Sequence, residues 1–242
     1  MKAMILAAGL GTRLKPWTDH HPKALALVNG KSLLERNILF LQQHGIKEVI
    51  VNVHHFSDQI IDAINVNNGW GSNITISDET GEVLETGGGL VKAASFFTNE
   101  SSFVLLNADI LTDMNLSSMI DQHLQTQAIA TLAVSNRHSS RCLLFNEKAH
   151  MVGWRNNATG EERGPIVFLE DKSQVHPMAF SGIHVLSSNI FSLIERKGKF
   201  SMIDVYVDIC NTYPLQAFDH TGAVLLDVGK PENIEKAEAI FQ

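Results

Sequence analysis

The chain has 242 residues, 44% of them apolar and 19% charged, with a formal net charge of −7. That length gives one sizeable core rather than two very small ones; the acidic balance excludes a general nucleic-acid binder, whose phosphate contacts need a basic surface; and no apolar run is long enough to span a membrane. Cys142 and Cys210 lie far apart without metal-ligand spacing, so free thiols in a reducing compartment, by default the cytoplasm, are expected rather than a disulfide.

The apolar run at 4–8 predicts a buried strand, and it leads into LAAGLGTRLKPWTDHHPK at 6–23. Gly9 and Gly11 allow positive φ and a close backbone approach to a ligand. Arg13 and Lys23 place fixed positive charge on the same loop, and Pro16 and Pro22 restrict its backbone. A lone GLG is only a tight turn. All of these together, at the C-terminal end of a first strand where open α/β sheets bind ligands, predict a phosphate site. The spacing excludes two common phosphate loops. Leu14 stands three residues after Gly11 and Pro16 follows, so neither a Walker loop nor a dinucleotide GxGxxG is present.

Ser32 predicts a helix N-cap with Glu35 as its capping-box partner, Leu33, Leu34, Ile38 and Leu41 as the apolar face, and Gly45 as the stop. A buried strand follows at 49–53, a helix from Ser57 through Ile60, Ile61 and Ile64, and short strands at 74–77 and 103–107. A helix at 116–124 and a strand at 128–134 continue the βαβα order of a parallel sheet covered on both faces. From 142 to about 186, short strand signals separated by Gly153, Gly160 and Gly164 predict an antiparallel insertion. Helices are then expected at 188–195 and 201–212, a strand at 223–228, and a closing helix from Pro231. The expected architecture is α/β: one domain over 1–242, a doubly wound mixed sheet carrying a smaller inserted sheet.

Two carboxylates stand out. Asp109 in LLNADI and Asp227 in LLDVGKP each follow a strand. Either alone would be read as a turn or helix cap. Beside a phosphate loop, the pair predicts a Mg²⁺ site, because that ion takes one or two carboxylates and fills its shell with phosphate oxygens and water. Ahead of both in the chain, Thr86 and three consecutive glycines precede an apolar helical run, as a backbone lying against a flat ring or an anion would require. The histidines, His54 and His55 included, show no zinc spacing, and no Ser-His-Asp or Cys-His arrangement assembles.

The opening pattern LAAGxGTRLxPxTxxxPKxL, followed in order by LETGGG, LLNADI and LLDVGKPEN, resembles the sugar-1-phosphate nucleotidylyltransferase family over nearly the whole chain. The resemblance implies a Rossmann-like nucleotide domain with an inserted sugar-binding sheet. It also implies Mg²⁺-dependent transfer of a nucleoside monophosphate from a nucleoside triphosphate to a sugar 1-phosphate, with pyrophosphate released. By the same resemblance Ala8, Gly9, Gly11, Glu85, Thr86, Gly87, Gly88 and Asn107 would meet the nucleotide, and Arg13 and Lys23 the reacting phosphates. Asp109 and Asp227 would hold the metal, and Gly182 in FSGIHV would line the sugar pocket. The Glu-Lys-Pro stretch of many hexose members has no counterpart; FLEDKSQVHP stands at 168–177 instead. That departure makes the chain most similar to the branch using UTP and N-acetylmuramic acid 1-phosphate in cell-wall recycling, with mannose-1-phosphate guanylyltransferases as the alternative. Arg155, Arg163 and His176 are the candidates to face an anionic sugar substituent. A non-catalytic nucleotide sensor would not need Arg13 and both carboxylates, and a sugar kinase would need a different phosphate loop and a catalytic base. The oligomeric state leaves no mark in the sequence.

Overall fold

The computed structural model describes residues 1–241. In chain order the strands and helices are β1 Ala3–Leu6, β2 Leu27–Val28, β3 Lys31–Ser32, α1 Leu33–Gln43, β4 Glu48–Val53, α2 Ser57–Val66, β5 Asn73–Asp78, α3 Glu85–Lys92, β6 Ser102–Asn107, β7 Ile110–Thr112 and α4 Leu116–Thr126. They continue with β8 Ala130–Ser135, β9 Arg141–Phe145, β10 Met151–Asn156, β11 Glu162–Arg163, β12 His176–Ser187, α5 Ile190–Leu193, α6 Met202–Ile209, β13 Leu215–Asp219, β14 Leu225–Asp227 and α7 Pro231–Ile240.

The parallel core runs β6-β1-β4-β5, with Met4 paired to Ile50 on one side and Leu105 on the other. Its residues are apolar without alternation because helices cover both faces. On α1, Leu34, Ile38 and Leu41 are fully buried against one face, each contributing roughly 1.5–3 kcal/mol of burial. Ser32 Oγ accepts the Glu35 N–H (3.1 Å) and so caps α1.

Strand β12 turns the sheet antiparallel and joins it to the insertion. Its C-terminal part pairs with β6 and β8, whereas His176–Met178 pair with β9, which leads on to β10 and β11. The changeover falls at a register shift between Phe180 and His184, where Gly182 takes φ +75°, a value unfavourable for a side chain. The mixed sheet with an antiparallel extension is the expected architecture. Inside it, desolvation pushes the wholly buried His184 down to about 3, and its Nδ1 shares a 2.5 Å hydrogen bond with Tyr206 Oη. The His123 ring, between Thr131 and Ser102, is pushed down to about 4 for the same reason.

Some elements depart from expectation. The first strand stops at Leu6, because the N–H groups of Ala7 and Ala8 turn to a side chain. The predicted helix at 188–195 is a single turn, Ile190–Leu193. The apolar 223–228 run yields only β14, which pairs with β7 outside the main sheet. Asp227 therefore ends a two-stranded ribbon, not a strand of the central sheet. No helix among the described residues is long and apolar enough to cross a membrane, and both cysteines are unpaired.

Candidate active site

A cavity of about 420 Å³ opens at the C-terminal ends of β1, β4 and β6. Its floor is the turn after β1. There Asn52, buried at the end of β4, uses Oδ1 to accept the N–H groups of Ala7 (2.7 Å) and Ala8 (3.3 Å). Its Nδ2 donates to Glu79 Oε1 (2.8 Å), so the amide has one orientation. Ala8, Gly9, Gly11 and Arg13 line the cavity. Only Gly11 of the two glycines has positive φ, +62°, and a Cβ there would lie 2.9 Å from both Lys23 Cβ and Thr18 Cγ2. Gly9 is different: a Cβ on it would meet no atom within 4 Å, so it leaves space for a ligand.

The charges converge beside this turn. Lys23 Nζ donates to Asp109 Oδ2, and Arg13 Nη1 lies 3.3 Å from Asp227 Oδ2, with Nη2 3.9 Å from Asp109 Oδ2. The β7–β14 ribbon creates this meeting: Asp227 pairs with Ile110, and the Val228 N–H donates to the Asp109 carbonyl (2.8 Å). On the other side, Asn37 of α1 donates to the Ala108 carbonyl (3.0 Å) and fixes the approach to Asp109. Asp227 Oδ1 is buried with no hydrogen-bond partner among the described residues. No group of three or more His, Cys, Asp or Glu side chains suited to a metal forms among those residues. Two carboxylates, one with a free buried oxygen, fit a hard cation that completes its shell from phosphate and water.

The glycine triplet corrects the sequence reading. Glu85 and Thr86 line the cavity, and Gly87, Gly88 and Gly89 follow as buried residues within α3 and not before it. A Cβ at Gly87 would fall 2.3 Å from Phe200 Cε2, and one at Gly88 2.3 Å from the Gly198 carbonyl oxygen. The Gly87 N–H already donates to the Phe200 carbonyl (2.9 Å), which leaves that amide unavailable to an anion. On the side where a Cβ would stand, Gly87 and Gly88 admit the 198–200 segment. Thr86 Oγ1 in turn accepts the Met202 N–H (2.8 Å), bringing the N-cap Ser201 of α6 to the cavity wall.

Asn107 lines the cavity, while Gly182 does not. A Cβ at Gly182 would lie 2.8 Å from Asn107 Nδ2, so Gly182 sits behind that side chain. Of the insertion's cationic candidates, Arg155 pairs with Glu162 (2.7 Å) and exposed His176 lines neither this cavity nor the one beside it. Arg163 lines a neighbouring cavity of about 340 Å³, which shares Ser201 with the first. Sequence reasoning missed Asn52, whose only signal is one polar residue inside VIVNV, and Ser201, which reads there as nothing more than a helix cap.

A parallel α/β sheet whose C-terminal edge gathers a glycine turn, two cations and two carboxylates defines an enzyme of the nucleotide-dependent transferase class. The chain belongs to the nucleotidyl transferase family, whose model matches residues 2–143. It is 31% identical to the N-acetylmuramate alpha-1-phosphate uridylyltransferase of Neisseria meningitidis serogroup B, over 99% of this chain and 98% of that protein. A mannose-1-phosphate guanyltransferase of Yarrowia lipolytica is 25% identical over 100% of this chain and 64% of its own length. The crystal structure of HddC from Yersinia pseudotuberculosis complexed with GMP-PN superposes with a TM-score of 0.78 at 26% identity, covering 100% of this chain and 99% of that one. With these relatives, the chain is a sugar-1-phosphate nucleotidyltransferase.

Proposed function

We infer that the protein transfers UMP from UTP to N-acetylmuramic acid 1-phosphate, releasing pyrophosphate, in the recycling of cell-wall sugar in the cytoplasm. The observation that carries the transfer is the meeting of Arg13, Lys23, Asp109 and Asp227 at the mouth of the nucleotide-sized cavity. The full-length match to the Neisseria uridylyltransferase supports the substrate pair, and the two free cysteines are in keeping with a reducing compartment.

In this reading the turn from Ala8 to Gly11, with Glu85, Thr86 and Asn107, holds the nucleotide. A phosphate oxygen of the sugar 1-phosphate attacks the α-phosphorus and the bond to the pyrophosphate oxygen breaks, so no protein nucleophile is needed. Arg13 and Lys23, paired with carboxylates in the free protein, shift to phosphate oxygens as the triphosphate enters and offset charge on the leaving pyrophosphate. Asp109 and Asp227 would hold Mg²⁺, which supplies charge neutralisation across the phosphates when bound.

A guanine nucleotide with mannose 1-phosphate is the second reading, favoured by the mannose enzyme and by the GMP-PN complex of HddC. A panel of nucleoside triphosphates and sugar 1-phosphates, followed by pyrophosphate release, separates the two. UTP with N-acetylmuramic acid 1-phosphate is expected to give the highest kcat/KM. A preference for GTP with mannose 1-phosphate overturns the substrate assignment and leaves nucleotidyl transfer in place.

A further inference from the structure

The second cavity has a built wall. One face of the antiparallel extension supplies Arg141 and Leu143 from β9, two residues apart and hence on the same side, together with Trp154, which is paired with Leu143. Arg163, paired with Trp154, continues the row, and Phe180 of β12 completes it. Opposite stand Ser201, Ile203 and Asp204 at the start of α6. Ser201 also lines the first cavity, so the two adjoin there, and a sugar whose 1-phosphate reached Arg13 and Lys23 would extend over Ser201 towards Trp154 and Phe180.

Three guanidinium groups come near this wall, and two are engaged. Arg163 pairs with Asp204 (2.7 Å) and lies 5.6 Å over the Trp154 ring. Arg137 donates to the Phe180 carbonyl (2.6 Å). Arg141 is held only by its backbone: it pairs with Asn156, its N–H donates to Ser139 Oγ (3.3 Å), and its carbonyl accepts the same hydroxyl (2.8 Å). Its guanidinium makes no ion pair or side-chain hydrogen bond among the described residues.

We propose that Arg141 is the specificity-determining residue that pairs with a carboxylate carried by the sugar, away from its 1-phosphate. The proposal rests on the N-acetylmuramic acid reading. A neutral hexose offers only hydroxyls and gives an unpaired guanidinium nothing to neutralise. A lactyl ether places a planar carboxylate on the ring, and the arginine fork binds such a group bidentately. The aromatic walls take the apolar face of the ring, and Arg163, already neutralised by Asp204, is a support for Trp154.

The test compares N-acetylmuramic acid 1-phosphate with N-acetylglucosamine 1-phosphate, the same sugar without the lactyl group, each with saturating UTP. Arg141→Met is expected to lower kcat/KM for the first by roughly 10- to 100-fold and for the second by less than about threefold, with Arg141→Lys recovering part of the loss. An equal effect on both sugars, or none on either, overturns the role of Arg141. A wild-type enzyme with no preference for the carboxylated sugar overturns the substrate reading itself, and the proposal with it, before any variant is made. Arg141 is exposed and outside the core, so the variants keep the wild-type Tm.

Discussion

Gly88→Ala and Gly9→Ala pull apart two uses of glycine that look alike in the sequence. At position 88 the added methyl carbon would lie 2.3 Å from the backbone oxygen of Gly198 and 3.0 Å from Leu84 Cβ. A carbon-to-oxygen contact normally sits at about 3.3–3.6 Å. Helix α3 and the 198–200 segment must then part by roughly 1 Å, and backbone cannot swing aside as a side-chain tip can. Overpacking of this kind costs about 3 kcal/mol at the upper end of its usual range, offset by about 1 kcal/mol of better helix propensity. The net loss of about 2 kcal/mol corresponds to a Tm lower by roughly 4–8 °C for a chain of this size. At position 9 the methyl would meet no protein atom within 4 Å, so Tm stays unchanged while the methyl takes up ligand space and raises KM for the nucleoside triphosphate. Differential scanning calorimetry and steady-state kinetics on both variants give the answer. A Gly88→Ala protein as stable as wild type, with its defect in nucleotide KM, would refute the packing assignment and return the triplet to the base site.

Other expectations follow from the charge cluster and the buried rings. Asp109→Asn and Asp227→Asn should each lower pyrophosphate release by roughly 100-fold or more and remove the Mn²⁺ bound with a non-hydrolysable nucleotide, read by electron paramagnetic resonance; retained Mn²⁺ in both variants would disprove the metal assignment. Lys23→Met should lower kcat far more than it raises nucleotide KM, and a change confined to KM would make the turn a passive cradle. His123, held down to about 4 by burial, stays neutral in the folded chain but protonates near 6.5 once unfolded. The unfolded state therefore takes up more protons as pH falls below 6.5, and stability drops by about 2 kcal/mol between pH 7 and pH 5 from this residue alone. His123→Gln should remove that share of the Tm decline; an unaltered slope would show that the ring does not titrate on unfolding.

How much of this was legible in the sequence depends on whether the signal was local. Helix α1 was, because Ser32, Glu35 and the spacing of Leu34, Ile38 and Leu41 state cap and buried face within one short segment. The positions of Arg13, Lys23 and Asp109 were also legible, as turn residues beside the ends of apolar strands. The place of the glycine triplet inside α3 was not legible, because composition says that a helix face must be bare, and not that Phe200 will pack against it. Asp227 misled for a related reason: AVLLDV is apolar enough for the central sheet, yet β7 captures it into a ribbon, and that ribbon is what sets the two carboxylates side by side.

Glu79 was the least legible of all. SDETGE reads as a solvated acidic turn, but the Glu79 side chain is 1% exposed, with Oε1 bound to Asn52 Nδ2 and Oε2 accepting the Leu84 N–H at 3.4 Å. A carboxylate is buried without a cation only where several donors hold it, and these donors come from two walls of the site. Asn52 carries the turn of Ala7 and Ala8, and Leu84 precedes Glu85 and Thr86 at the head of α3. One buried acid thus ties the turn after β1 to the arm opposite it. Glu79→Gln keeps the shape but not both bonds. The Ala7 and Ala8 N–H groups hold Asn52 with Nδ2 outward, so the new Oε1 stays on Asn52 while the new Nε2 meets the Leu84 N–H donor to donor. The expected loss is of the tie to the α3 arm, read as a lower Tm and a higher nucleotide KM; an unchanged Tm and KM would show that the tie carries nothing.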